Sequence, residues 1–301
     1  GQGTAVHHRR ALAPLEQRAH EILRLPLRRA EVGAGEGENS RIYKTTDGGK
    51  TWKMQFKNMN PKAFFDAIAF WDKNNGIAMS DPVDGKFLLY ITEDGETWKI
   101  LSPKSLILKN GRKIRVIPNR NGSPWSLDAT SMEGEAAFAA SGTCLITQGK
   151  NNVFLVSGGN AARVFSSKTR GNLWAISDTG FVKGTAGSGI FSIAMFDTMR
   201  GVIVGGNYEK PEDITNNLAF TTDGGKTWTL SKGLNGYRSG VAYIDKKTII
   251  AVGSSGSDLT MDSGKTWKNL DKENYNAVQA KGKRAIWAVG ANGLVAKLNL
   301  K

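Results

Sequence analysis

The sequence predicts an all-β propeller, and three observations carry that prediction. An octapeptide, Thr45-Thr46-Asp47-Gly48-Gly49-Lys50-Thr51-Trp52, recurs unchanged at 221–228, with variants at 91–98, 167–174 and 260–267. The tryptophans that end these copies, Trp52, Trp98, Trp174, Trp228 and Trp267, stand 46, 76, 54 and 39 residues apart. Finally, 36 glycines against 8 prolines suit many short strands joined by tight turns.

The octapeptide has a local physical meaning. In Asp-Gly-Gly the carboxylate accepts N–H groups of its own turn, and glycine permits φ > 0. The threonine before it and the Thr-Trp after it favour strands. Each copy is therefore a hairpin tip, and its tryptophan is large enough to pack between neighbouring sheets. Local side-chain-to-backbone bonding accounts for the aspartates without a catalytic role. Hairpins repeated every forty to fifty residues mark one four-stranded blade per repeat. The interval of 76 requires an insertion.

The pattern Ser/Thr-x-Asp-x-Gly-x-Thr-Trp resembles the Asp-box of bacterial neuraminidase repeats. The repeat Phe65-Asp66-Ala67-Ile68-Ala69-Phe70, with Asn75-Gly76-Ile77-Ala78-Met79 and Tyr90-Ile91-Thr92-Glu93-Asp94-Gly95, resembles those of photosystem II stability/assembly factor-like propellers. The resemblance covers residues 41–101 and 134–301. It implies Asp47, Glu93, Asp223 and Asp262 as the structural box acids, each with its tryptophan. It also implies a binding or assembly role outside the cytoplasm. One fold carries many functions, so it specifies the repeat more closely than the activity.

Taken in order, residues 1–40 stand apart from the repeats. Leu12, Leu15, Ala19, Ile22 and Leu23 have roughly helical spacing, and 33–37 reads as a linker. The segment 41–56 is a partial blade with two strands around its turn and no recognisable inner strands. Residues 63–101 form a complete blade, with strands at 66–70, 77–80 and 87–91, a loop at 81–85, and Trp98 opening the fourth. The insertion, 102–133, has a hairpin turn at Lys109-Asn110-Gly111-Arg112. The next blade, 135–177, has strands at 136–140, at 144–148 or 153–156, and at 163–167. The following blade has strands at 191–196, 201–204, 218–222 and 228–230. The next has 241–244, 249–252, 259–261 and 267–270. Three strands without a box, 277–280, 285–289 and 294–298, close the chain. That makes about six recognisable blades, the N-terminal one incomplete.

The formal net charge of +14 invites a nucleic-acid partner. Its distribution argues against one: the insertion holds a net of +4, the rest is spread along the repeats, and no nucleic-acid motif is present. The single cysteine, Cys144, cannot form an intrachain disulfide and reads as a buried strand residue. The three histidines lie within residues 7–20, so neither a metal-ligand spacing nor a Ser-His-Asp arrangement forms. No cofactor and no metal are expected. No apolar run reaches membrane-spanning length, and the first forty residues show no apolar signal core. Gly-Lys-Thr at 49–51, 225–227 and 264–266 imitates a phosphate loop. The required earlier glycine is Lys44, Phe220 or Leu259, so all three copies fail.

Strand alternation gathers the remaining polar stretches on the face opposite the box turns. The binding candidates there are Asp81, Asn160, Arg163, Asn207, Tyr208, Lys210, Tyr237, Arg238, Tyr275 and Asn276. Tyr237-Arg238 enters a first strand and points toward the axis. Arg238 either binds a ligand there or pairs with a neighbouring blade's carboxylate and locks the ring. The leading reading is a non-enzymatic scaffold for a protein or peptide. The alternative is a sialidase-like glycosidase, which needs an arginine cluster with a tyrosine and acids: Arg41, Arg163 and Arg238 with Tyr237, Glu135 and Glu209. A glycan partner belongs to that alternative.

Overall fold

The computed structural model describes residues 37–101 and 128–300, with the backbone of short strands at 5–9, 29–33, 106–107, 113–114 and 125–126. The described chain is built almost wholly of antiparallel strands, arranged in six successive blades and one two-stranded sheet. The first blade is Arg29–Gly33, Arg41–Thr45 and Lys53–Lys57. The second is Phe65–Phe70, Gly76–Val83, Lys86–Thr92 and Lys99–Ile100. The third is Leu145–Gln148, Asn152–Val156, Arg163–Ser167 and Trp174–Asp178. The fourth is Ser188–Met195, Gly201–Asn207, Leu218–Thr221 and Thr229–Leu230. The fifth is Gly240–Tyr243, Ile249–Gly253, Gly256–Thr260 and Lys268–Asp271. The sixth, Tyr275–Lys281, Ala285–Gly290 and Val295–Asn299, takes Ala5–Arg9 as its fourth strand.

Inner strands of successive blades touch one another from the first blade to the sixth. In the fourth and fifth blades the second strands are buried on both faces. Gly201–Asn207 and Ile249–Gly253 are buried at every residue and read as near-continuous apolar runs. The fourth strands of the second and fourth blades are edges: Lys99–Ile100 and Thr229–Leu230 are exposed throughout. The core is therefore a series of interblade layers. One joins blades one and two through Ile42, Phe65, Tyr90 and Trp98; another joins four and five through Val202, Leu218, Val241 and Ile249.

The octapeptide turns close on themselves. Thr221 Oγ1 donates to Asp223 Oδ1 at 2.8 Å, and Thr227 Oγ1 donates to Asp223 Oδ2 at 2.6 Å. The amides of Lys226 and Thr227 complete the set. Asp47 and Asp262 repeat this pattern. In the second blade the acid is Asp94, which accepts from Thr92, Glu96 and Thr97; Glu93 instead pairs with Lys99 at 2.6 Å. Glu93 is thus corrected as a box acid. Counting back from Trp98 misses that this loop is one residue shorter, and the flanking threonines set the register. In the third blade Thr169 takes the acid's place, accepting from the Leu173 amide at 2.9 Å.

Trp98, Trp174 and Trp228 are buried and Trp267 is half-buried, each against the preceding blade. Trp52, in the first copy, is 40% exposed.

Four other expectations change. Residues 81–83 are strand, and Asp84-Gly85 alone forms the turn, both with positive φ (52° and 77°). Asp-Gly between two apolar runs is a strong hairpin signal. The third blade begins at Leu145, because Gly149 turns the chain into Asn152–Val156; the strand expected at 136–140 is absent. Glu135–Ala136 pairs instead with Gly158–Gly159, which extends the fourth blade's sheet. Within residues 1–40, two stretches run as blade strands. The helix expected over 12–23 lies outside the described residues. In the insertion, Leu106–Ile107 pairs with Lys113–Ile114, and Trp125–Ser126 adds a strand to the third blade; the 109–112 turn is outside the described residues.

Candidate functional site

The second-blade hairpin 76–83/86–92 and the segment 128–136 together wall a groove. Along the hairpin, the Phe87 amide donates to Ala129 O at 3.0 Å and the Ser131 amide to Gly85 O at 3.0 Å. Lys86 pairs with Asp128 at 2.7 Å. The chain then turns at Gly134, φ 69°, where the Asn160 amide donates to Gly134 O and Asn160 Nδ2 to Glu133 O. Glu135 is buried and grips Arg163: Nε donates to Oε1 at 2.9 Å and Nη2 to Oε2. Arg163 Nη2 also donates to Thr130 O at 2.9 Å, and Ser157 Oγ donates to Glu135 Oε1. This bidentate pair staples the wall to the third blade. The groove has a volume of about 760 Å³ and is lined by Lys62, Phe64, Asp81, Pro82, Glu133 and Glu135 among others.

Asp81 and Asp66 are neighbours through two bulges. The ladder skips Asp66 between Phe65 and Ala67, and skips Asp81 between Ser80 and Pro82. A bulge re-aims the extra residue's side chain. Asp81 Oδ1 accepts the Ala137 amide at 2.9 Å, tying the hairpin to the far wall. Asp66 is only 4% exposed, and its Oδ2 has no hydrogen-bond partner among the described residues. Burial, then the Asp81 charge, pushes the Asp66 carboxyl well above the usual carboxylate range. Burial also raises Asp81. The same two acids, after burial itself, raise the enclosed Cys144 thiol, so this cysteine is held as an unreactive thiol.

Two residues beyond the groove-lining Ala136, Phe138 joins an aromatic cluster. Phe138 stacks on Phe191 with ring centres 3.7 Å apart, and Tyr237 and Tyr208 meet Phe191 edge-on at 4.7 and 6.2 Å. Phe191 and Tyr237 are buried, whereas Tyr208 is 49% exposed. Phe191 is again a bulge residue of a first strand, between Ile190 and Ser192. Burial pushes the Tyr237 hydroxyl far above its ordinary value.

The sequence candidates thus separate by burial. Tyr208, Lys210, Asn160 and Asn276 are exposed, and Asp81 lines the groove. Asn207 is buried and caps the turn by accepting the Glu209 amide at 2.9 Å. Tyr275 is buried, its hydroxyl donating to Asp271 at 3.3 Å. Arg238 is wholly buried against Asp258, within the fifth blade rather than across to a neighbour. It has no surface to offer a ligand. The arginines a sialidase-like site needs do not converge: Arg163 and Arg238 are each closed by their own carboxylate, two blades apart.

Sequence reasoning missed Asp66, Lys62 and Glu133. An aspartate inside the apolar run of Phe65–Phe70 was the available signal for the first. The other two reach the groove only by tertiary approach. Among the described residues no group of three potential metal ligands comes together. No helix among them is long and apolar enough to cross a membrane.

No protein-family model and no curated protein matches this chain. Several solved structures do. The structure described as YCF48 bound to D1 peptide is 15% identical, covering 95% of this chain and 100% of that one, with a TM-score of 0.42. YCF48 from Cyanidioschyzon merolae is 14% identical over 86% of this chain and 88% of its own, at 0.41. An ancestral GH74 enzyme is 12% identical over 94% of this chain and 38% of its own, at 0.53. At 12% identity and a TM-score of 0.53 the likeness to the GH74 enzyme is one of fold alone.

Proposed function

We propose that this chain is a non-catalytic scaffold that holds a protein or peptide partner on the face opposite its octapeptide turns. One observation carries the reading: a groove of about 760 Å³ has a wall pinned by the Glu135–Arg163 pair, and that wall runs on within two residues to Phe138, part of the aromatic cluster that includes half-exposed Tyr208. Pre-formed concavities beside exposed aromatics are where partners gain contact at low ordering cost. The turn face offers less, because its acids are already saturated by their own threonines and amides. Placement outside the cytoplasm, as the repeat resemblance implies, is part of the same proposal.

The test is selection of binding peptides from a random displayed library against the full chain, followed by variants. Tyr208→Ala with Lys210→Ala abolishes capture, and Lys50→Ala with Lys226→Ala on the turns leaves it intact. The reverse pattern moves the site to the turn face and overturns the proposal.

A further inference from the structure

The chain carries a formal charge of +14, yet the charged side chains lining the groove are mostly acidic. Lys62 is the one cation among the described lining residues. It is 70% exposed and sits 3.2 Å from Asp84 at the rim. Glu135 is neutralised by Arg163. That leaves Asp81 on one wall and the exposed Glu133 on the other.

Asp81 uses Oδ1 to accept the Ala137 amide. Asp66, near enough to feel the Asp81 charge, has its Oδ2 buried with no donor among the described residues. Two adjacent carboxyls here have more acceptor oxygens than the described protein groups supply with hydrogens. A buried acceptor without a donor is costly, and two like charges side by side are costly too. A cation with several N–H groups seated on Asp81 from the groove offsets the like-charge cost. An acidic groove draws in groups of the opposite charge.

We propose that the groove between 81–85 and 131–136 seats a cationic group of the partner peptide, a lysine or arginine side chain. Asp81 and Glu133 are its anchors, and Asp66 is the supporting carboxylate. This rests on the scaffold reading and adds the chemistry of the partner. The groove volume suits a short stretch of peptide around such a side chain. The raised Asp66 and Asp81 carboxyls supply a signature: seating a cation favours their ionised forms, so binding releases protons and tightens as pH rises above the usual carboxylate range.

The experiment titrates the full chain by amide NMR with acetyl-Gly-Arg-Gly-amide and acetyl-Gly-Lys-Gly-amide, against the citrulline and glutamate counterparts. The cationic peptides shift amides of 81–85 and 131–137, and Asp81→Asn, which keeps an acceptor for Ala137, weakens them at least about tenfold. Glu133→Gln, at an exposed position, weakens them several-fold without touching the core. Calorimetry in buffers of different ionisation heat shows proton release. Equal binding of the citrulline peptide, an unchanged Asp81→Asn, or no shift in the groove with either cationic peptide overturns the inference. None of these results bears on partner capture at Tyr208, which decides the scaffold reading separately.

Discussion

Arg238 and Asp258 meet with both side chains 0% exposed, Nε donating to Oδ2 at 2.8 Å. Nη2 approaches the same oxygen to 2.6 Å without making a second straight hydrogen bond. Asn235 and Asn269 donate to the remaining Asp258 positions, and Arg238 Nη1 reaches Ser255 Oγ and Tyr237 O. A charge removed this far from water is stable only with its partner in place. Arg238→Ala therefore destabilises the fold by about 3–5 kcal/mol, read by urea unfolding. Arg238→Met combined with Asp258→Leu recovers much of that loss. A fully stable Arg238→Ala contradicts the structural role.

The turn acids make a register prediction. Asp94→Ala lowers the thermal midpoint, because Thr92, Glu96 and Thr97 lose a shared acceptor. Glu93→Ala leaves it almost unchanged, since its pairing with Lys99 is exposed. Equal losses from the two variants would return the box role to Glu93.

The turns and the groove respond to pH with opposite signs. Hydrogen bonds from Thr266 and Thr260 hold Asp262 at about 2. In Asp223, bonds from Thr227 outweigh burial, to the same result. Unfolded aspartates titrate near ~3.9, so the turns' contribution is complete above that value and is lost as pH falls through about 2. Asp66 is raised instead. Its contribution is complete below about 3.9 and declines as pH rises toward its elevated value. At neutral pH, Asp66→Asn should therefore unfold at higher urea than the parent chain. The two midpoints should converge below about pH 4. An Asn variant that is less stable at neutral pH removes this account of Asp66.

Phe191 and Tyr208 touch, but they differ in burial. Phe191→Ala empties the space under Phe138 and Tyr237 and costs about 3–5 kcal/mol. Tyr208→Ala, at a half-exposed ring, costs under about 1 kcal/mol. Chemical unfolding of both variants checks the contrast on which Tyr208 as a surface residue depends.

Gly264 has φ 87°, and a Cβ there would overlap the Phe220 ring of the preceding blade. Gly264→Ala is destabilising by more than about 1 kcal/mol. Adding Phe220→Leu in the same chain recovers only the steric part, as thermal unfolding of the single and double variants will show. Full recovery would mean that the left-handed backbone costs nothing.

Much of the architecture is legible along the chain, and particular residues show why. The Asp223 turn is held by neighbours four residues away or fewer, so its chemistry is written in one short stretch. Strands such as Ile249–Gly253 announce themselves by unbroken apolar character. The third blade's start is not legible in this way. Glu135–Ala136 and Leu145–Gln148 are both strands, and only their pairing partners distinguish them.

The propeller, the turn chemistry and most strand positions follow from residue order alone, because periodicity and short-range hydrogen bonding are local properties. Three-dimensional packing was needed to make Arg238 a buried lock and Tyr208 a surface. It was also needed to bring Asp66, Asp81 and Ala137 together beside one groove. Those outcomes depend on burial and on approaches between residues fifteen to seventy apart, which no short window of sequence contains.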